Sequence, residues 1–239
     1  MKVLILGGAA ARWFETSVSD LVADRRGRLE QGDAPDDLMT ALLRAQDPET
    51  GAGLSDMEVS SNILTFILAG HETTARALGW TLYLLARSPD ARARVEAEAD
   101  VLDITHDDWV ERAPWTRAVF EEAMRLFPPA PVITRSATQA DEVCGVPVYP
   151  GTTILIAPWV LHRHEKLWDD PAAFRPERFL PGAREKIDRF AYMPFDGGPR
   201  VCIGATFAMQ EAMLIIAAVC RRARLDTISS LEPTPVQRI

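Results

Sequence analysis

The 239-residue sequence predicts a mainly α-helical protein with a small β part, and three observations carry that expectation. Long stretches repeat apolar residues at helical spacing between recognisable caps. One compact stretch, residues 132–157, gathers β-favouring residues around Gly145 and Pro150-Gly151. No internal repeat or low-complexity tract interrupts the pattern, and a chain with 47% hydrophobic residues is long enough to bury one substantial core.

The elements follow in order. Residues 14–28 read as a polar helix, and Asp36 as the cap of a second one that presents Leu38, Leu42 and Leu43. Ser55 followed by Glu58 has the spacing of a capping box, in which hydroxyl and carboxylate satisfy each other's backbone N–H groups. It opens a long helix from Asp56 to about Arg87, which Ser88-Pro89-Asp90 ends and a helix over 90–101 succeeds. Another helix, about 114–126, stops before Pro128 and Pro129. "VITRSAT" and "DEVCGVPVYPGTTILIA" then read as short strands, and "DDPAAFRPERFLPG" as a Pro-rich aromatic coil. The last helix runs from about Cys202 to Arg222, with Phe207, Met213, Leu214 and Ile215 available to a core.

Charge and cysteine content narrow the function. With 34 acidic against 26 basic residues, a net charge of -8, nothing favours nucleic acid as a partner. Three cysteines, Cys144, Cys202 and Cys220, are too few and odd in number for a disulfide framework, which points to a reducing compartment. The start, "MKVLILGGAAARW", has an apolar run shorter than a signal peptide's and far shorter than the ~20 residues that span a bilayer, so the expectation is a cytoplasmic chain without membrane contact. Gly7 and Gly8 lack the remaining glycine of a dinucleotide-binding turn.

Inside the long helix, "FILAGHETTARALGW" places His71, Glu72, Thr73 and Thr74 in an apolar stretch. His71-Glu72 begins a zinc-protease helix motif, but position 75 is Ala, so no second histidine shares the face. "HRH" at 162–164 supplies no third ligand and reads as exposed polar residues between elements. The bland account of the cluster has Thr73 bonding back to the Ala69 carbonyl while His71 and Glu72 reach solvent. Gly70 weighs against it, since glycine weakens a helix interior by ~1 kcal/mol relative to alanine and permits distortion beside the polar group.

"MPFDGGPRVCIGATFAMQEA", 193–212, sets Cys202 where a Gly-rich loop meets a helix. Backbone N–H groups and the positive helix end favour the thiolate form that a metal requires. Gly197 and Gly198 permit the turn, Gly204 the close approach of something large and flat, and Arg200 can pair with a carboxylate.

Phe195-x-x-Gly198-x-Arg200-x-Cys202-x-Gly204 resembles the haem-binding signature of the cytochrome P450 family. Glu122-x-x-Arg125 in "FEEAMRLFPP" is similar to the family's helix motif, Arg178 in "FRPERF" to the arginine completing its ionic triad, and "AGHETT" to its oxygen-activating segment. Glu122 and Arg125, three apart, share a helix face, and an arginine from the distant coil makes a buried charge group tolerable.

The resemblance implies a cytochrome P450 fold that is truncated: the N-terminal part and the final strand hairpin are expected to be missing, leaving residues 1–239 as a single partial domain, a fragment or truncated gene product of soluble bacterial type. It implies haem b with Cys202 as axial thiolate, Arg135 and Arg200 at the propionates, Phe195 shielding the sulfur and Gly204 at the ligand loop. Ala69 and Gly70 would lie over the distal face, with Glu72 and Thr73 passing protons to dioxygen, and Phe66, Ala69, Val132 and Ile133 would meet substrate. The activity implied is a monooxygenase that inserts one atom of O2 into a small apolar organic substrate, with electrons derived from NAD(P)H through a ferredoxin or flavin reductase. The alternative is a non-catalytic remnant unable to hold haem, with at most a structural or interaction role. Asp196 stands where the family more usually has a small residue such as Gly, and its charge near the sulfur is expected to lower the iron potential.

Overall fold

The computed structural model describes residues 8–227, 229 and 233–236. The expectations for residues 1–7, that they form neither a leader nor a dinucleotide-binding turn, lie outside the described residues. The chain divides into two compact units, Met1–Glu72 and Thr73–Ile239, and the division falls within one helix.

The first unit holds α1 (Ala9–Gln31), α2 (Leu38–Arg44) and the first half of α3 (Asp56–Arg87). Val18 and Val22 of α1, Leu43 of α2 and Val59 of α3 form its core. Gly32, at φ 76°, ends α1 in the left-handed conformation and turns its N–H back to Arg28 and Leu29, a backbone state that lacks steric cost only for glycine. The cap of α2 is Asp37 and not Asp36. Asp37 is extended and directly precedes Leu38, so its carboxylate reaches the Thr40 N–H at 3.0 Å, whereas Asp36 stands one residue too early. The N–H of Thr40, then the Arg25 guanidinium, hold the Asp37 carboxyl below the usual carboxylate range. The capping box of α3 forms as expected: the Ser55 N–H donates to Glu58 Oε2 at 2.9 Å and the Glu58 N–H to Ser55 Oγ at 3.3 Å.

The second unit holds the rest of α3, then α4 (Pro89–Val101), α5 (Pro114–Leu126), β1 (Ile133–Ser136), β2 (Asp141–Val143), β3 (Val146–Val148), β4 (Thr153–Ile156), α6 (Pro158–Leu161) and α7 (Ala205–Arg222). The mainly α architecture with a small β part is therefore present. Antiparallel β1–β4 and β2–β3 form two small sheets, and Arg135 pairs with Ile154 across the first. Gly145 (φ 79°) and Gly151 (φ 86°) make the turns. Apart from Pro114 and Arg117, every residue of α5 is buried, and Trp115, Val119, Phe120 and Met124 pack with Leu85, Val95 and Ile216.

Burial of α5 on all sides requires partners for its polar groups, and α4 supplies those at its N-terminus. Ala113 offers no capping side chain, so Glu98 of α4 accepts from the Trp115 and Thr116 N–H groups, both at 2.7 Å, and from Thr116 Oγ1 at 2.8 Å. Helix α7 begins at Ala205, three residues after Cys202, with Gly204 at the cap position. Its buried stripe is Ala212, Met213, Ile216, Ala217 and Cys220, so of the residues expected in the core Met213 is there, while Phe207 and Ile215 lie off the stripe and are exposed. Among the described residues no helix is long and apolar enough to cross a membrane.

Candidate functional site

The site is built outward from α5. Glu122 and Arg125, one helical turn apart, are fully buried and joined by two parallel hydrogen bonds, Arg125 Nε to Glu122 Oε2 at 2.7 Å and Nη2 to Oε1 at 2.8 Å. The other three N–H groups of Arg125 donate to the carbonyls of His162 (2.7 Å), Pro171 (2.8 Å) and Ala173 (3.0 Å). All five donors of the guanidinium are thus used, which makes burial of the cation tolerable. Removal from water raises the Glu122 carboxyl above its usual range, against the opposing pull of Arg125.

Arg178 joins this group, though not as the sequence suggests. Its Nε lies 3.5 Å from Glu122 Oε1 without a hydrogen bond, and the remaining capacity of that oxygen is taken by the Arg175 backbone N–H at 2.9 Å. Arg178 contributes charge, and its Nη2 donates to the Asp170 carbonyl at 2.8 Å. Between them Arg125 and Glu122 grip the coil over 162–178 at four backbone points.

The grip extends to the cysteine loop through a residue that sequence reasoning misplaced. His162, expected to be exposed, is fully buried. Its Nε2 accepts from the Met193 N–H at 2.9 Å, so its proton sits on Nδ1, and desolvation lowers its pKa to about 4, which keeps the ring neutral. Beside it, the Tyr192 hydroxyl donates to the Glu121 carbonyl of α5 at 2.9 Å. The only hint in the sequence is that Val160 and Leu161 precede His162; His164 of the same tripeptide is exposed, as expected.

From Met193 the loop runs out to Cys202 and folds back, the Cys202 N–H donating to the Phe195 carbonyl at 2.9 Å. Gly198 takes the left-handed turn (φ 68°), while Gly197 is extended. Phe195 packs against the main core cluster. Cys202 is exposed and a Cβ added to Gly204 would sit 3.9 Å from its Sγ, an ordinary contact. Around it Val201 (55% exposed), Ile203 (86%) and Phe207 (70%) leave large apolar side chains uncovered. No group of three or more His, Cys, Asp or Glu side chains among the described residues can hold a bare metal ion. A single soft donor amid exposed apolar surface suits a metal carried in a flat apolar ring instead.

The two arginines expected at the ring's carboxylates differ. Arg200 is exposed, with no hydrogen bond or ion pair among the described residues. Arg135, half-buried on the same face of β1 as Ile133, is already paired: Nη2 lies 2.5 Å from Asp196 Oδ2. The negative charge of Asp196, expected near the sulfur, is paired with this arginine. Cys202, Gly204, Phe195, Arg135 and Arg200 all belong to the second unit, as does Thr73, while Ala69, Gly70 and Glu72 belong to the first. Ala69, Gly70, Glu72 and Thr73 lie within about one turn of α3 and are exposed.

Comparison with known proteins identifies the family. A family model for Cytochrome P450 matches residues 9–238. The chain is 41% identical to cyclooctatin synthase of Streptomyces melanosporofaciens over 238 residues, 95% of this chain and 52% of that protein. It is 37% identical to cyclooctat-9-en-7-ol 5-monooxygenase of the same organism, over 88% of this chain and 46% of that one. A crystal structure of the cytochrome P450DA heme domain superposes with a TM-score of 0.80 at 34% identity, covering 86% of this chain and 46% of that one. The chain spans about half the length of the curated relatives it matches. With a family model matched over nearly its whole length and relatives 41% and 37% identical over most of it, the chain belongs to the cytochrome P450 family.

Proposed function

We propose that the chain supplies the haem-thiolate part of a monooxygenase that inserts one oxygen atom of O2 into a small apolar organic substrate, with residues 1–239 acting as one partial domain. The observation that carries this reading is the exposed Cys202 thiol, set on a loop pinned through His162 and Tyr192 and surrounded by uncovered Val201, Ile203 and Phe207. The family match over residues 9–238 and the relative named as a monooxygenase support it.

Haem b held by the Cys202 thiolate would supply the electron donation that favours cleavage of the O–O bond. The chain's own residues do the rest. Cys202 would give up its proton and hold the iron, Phe195 would keep water from the sulfur, and Gly204 would leave room for the ring. Arg135 and Arg200 would bind the propionates. On α3, Ala69 and Gly70 would leave room for dioxygen, and the Glu72 carboxylate and Thr73 hydroxyl would hold and pass protons. Val132 and Ile133, beside Arg135, orient the substrate. Electrons come from a ferredoxin or flavin reductase fed by NAD(P)H, and the three free cysteines support a cytoplasmic location.

The test is the spectrum of the haem-reconstituted chain after reduction under carbon monoxide. A Soret band at the thiolate position is expected, and Cys202→Ala should abolish it. A thiolate band that persists in Cys202→Ala refutes the ligand assignment, and no haem uptake by the unmodified chain refutes the proposal in favour of a remnant unable to hold haem.

A further inference from the structure

Asp196 occupies a backbone conformation that a side chain resists. At φ 67° it is in the left-handed region, where the Cβ crowds the following carbonyl and glycine is the natural occupant. What holds it there is its own carboxylate. Oδ1 accepts from the Gly197 N–H at 2.7 Å, and Oδ2 accepts from Arg135 Nη2 at 2.5 Å. This ties the cysteine loop to β1 immediately beside Phe195, whose carbonyl closes the loop on Cys202.

The ion pair is single-pronged. Arg135 Nη1 donates to the Thr134 carbonyl at 3.0 Å, and the rest of the guanidinium has no partner among the described residues. Asp196 and Arg135 are both more than half buried, with side chains 19% and 34% exposed, so water screens the pair only in part. A second carboxylate brought to this arginine meets a cation already neutralised and repels Asp196.

We infer that Asp196 is a positioning residue that competes with a haem propionate for Arg135, so that haem gains this contact only against the charge already held there. The inference rests on the haem reading above. The Asp196–Arg135 pair keeps the loop folded against β1 and, by neutralising Arg135, weakens the retention of haem. Only hydrogen bonds are exchanged.

The measurement is the rate of haem loss from the full chain to an excess of apomyoglobin, compared for the unmodified chain, Asp196→Asn and Asp196→Gly. Asp196→Asn keeps the shape and the bond to Gly197 while removing the charge; Asp196→Gly removes the strain as well and covers the case in which the first variant folds poorly. Both should release haem about tenfold more slowly, the change one charge-assisted hydrogen bond produces. The gain should disappear with iron porphyrin whose propionates are methyl esters, and when Arg135→Gln is added. Release at the unmodified rate or faster, or a gain kept with the ester, overturns the inference and leaves the haem reading intact. No haem uptake by any of the three chains overturns both.

Discussion

At the residue scale, His162 links the buried ion pair to the cysteine loop, and its ionisation sets a pH limit. Arg125 and Arg163 are the charged groups facing it, and the Tyr192 ring lies 5.3 Å away. In the fold its pKa is lowered to about 4 from the ordinary 6.5, first by burial. Between these values the unfolded chain binds a proton that the folded chain does not, so stability is full above pH 6.5 and falls as pH drops toward 4. Between pH 7 and pH 5 the loss from this residue is about 2 kcal/mol. Urea unfolding at the two pH values should show that loss in the unmodified chain and less of it in His162→Gln, which retains an acceptor for the Met193 N–H. Equal losses in both would remove His162 from the account. None of this was legible in "HRH": whether a histidine is core or surface depends on what α5 and the coil place over it, and residues distant in sequence decide that.

At the element scale, the helices written in local chemistry were legible. The Ser55–Glu58 box opens α3 and proline starts α4 and α5, because such signals act within one turn. Legibility stops where the partner is remote. Asp36 looks as good a cap as Asp37 until the backbone angles are known, and the cap of α5 comes from Glu98, sixteen residues before the helix begins. Glu98 takes three hydrogen bonds from the first turn of α5, the helix on which the Glu122–Arg125 pair rides. Glu98→Ala should therefore lower unfolding stability by ~1–2 kcal/mol, the range for loss of a helix cap, and Glu98→Gln by less, since one acceptor oxygen remains. An unchanged denaturation midpoint in Glu98→Ala would show that water replaces these bonds without cost.

At the scale of the whole molecule, the motifs stand out because a cysteine, its neighbouring glycines and the Glu122–Arg125 pair lie at short spacing, and the same motifs carry the family resemblance. What the spacing does not contain is the pairing of Arg135 with Asp196, 61 residues apart, or the exposure of Phe207, which sits on α7 yet outside its buried stripe. That exposure gives the last prediction. Arg135, Arg200, Cys202, Ile203 and Phe207 all lie in the unit Thr73–Ile239, so a ligand that coordinates Cys202 and covers its apolar neighbours binds the folded state of that unit and not the unfolded chain. Mass action then stabilises the fold by ~2.7 kcal/mol at a free haemin concentration 100 times the dissociation constant. Unfolding followed with and without haemin should show that gain, with slowed amide exchange over residues 193–204 and 133–136. Cys202→Ala should keep only the smaller part due to apolar contact. Apolar adsorption without coordination predicts instead the same gain in both chains and no slowing of exchange at the loop, and that result would count against a built haem site.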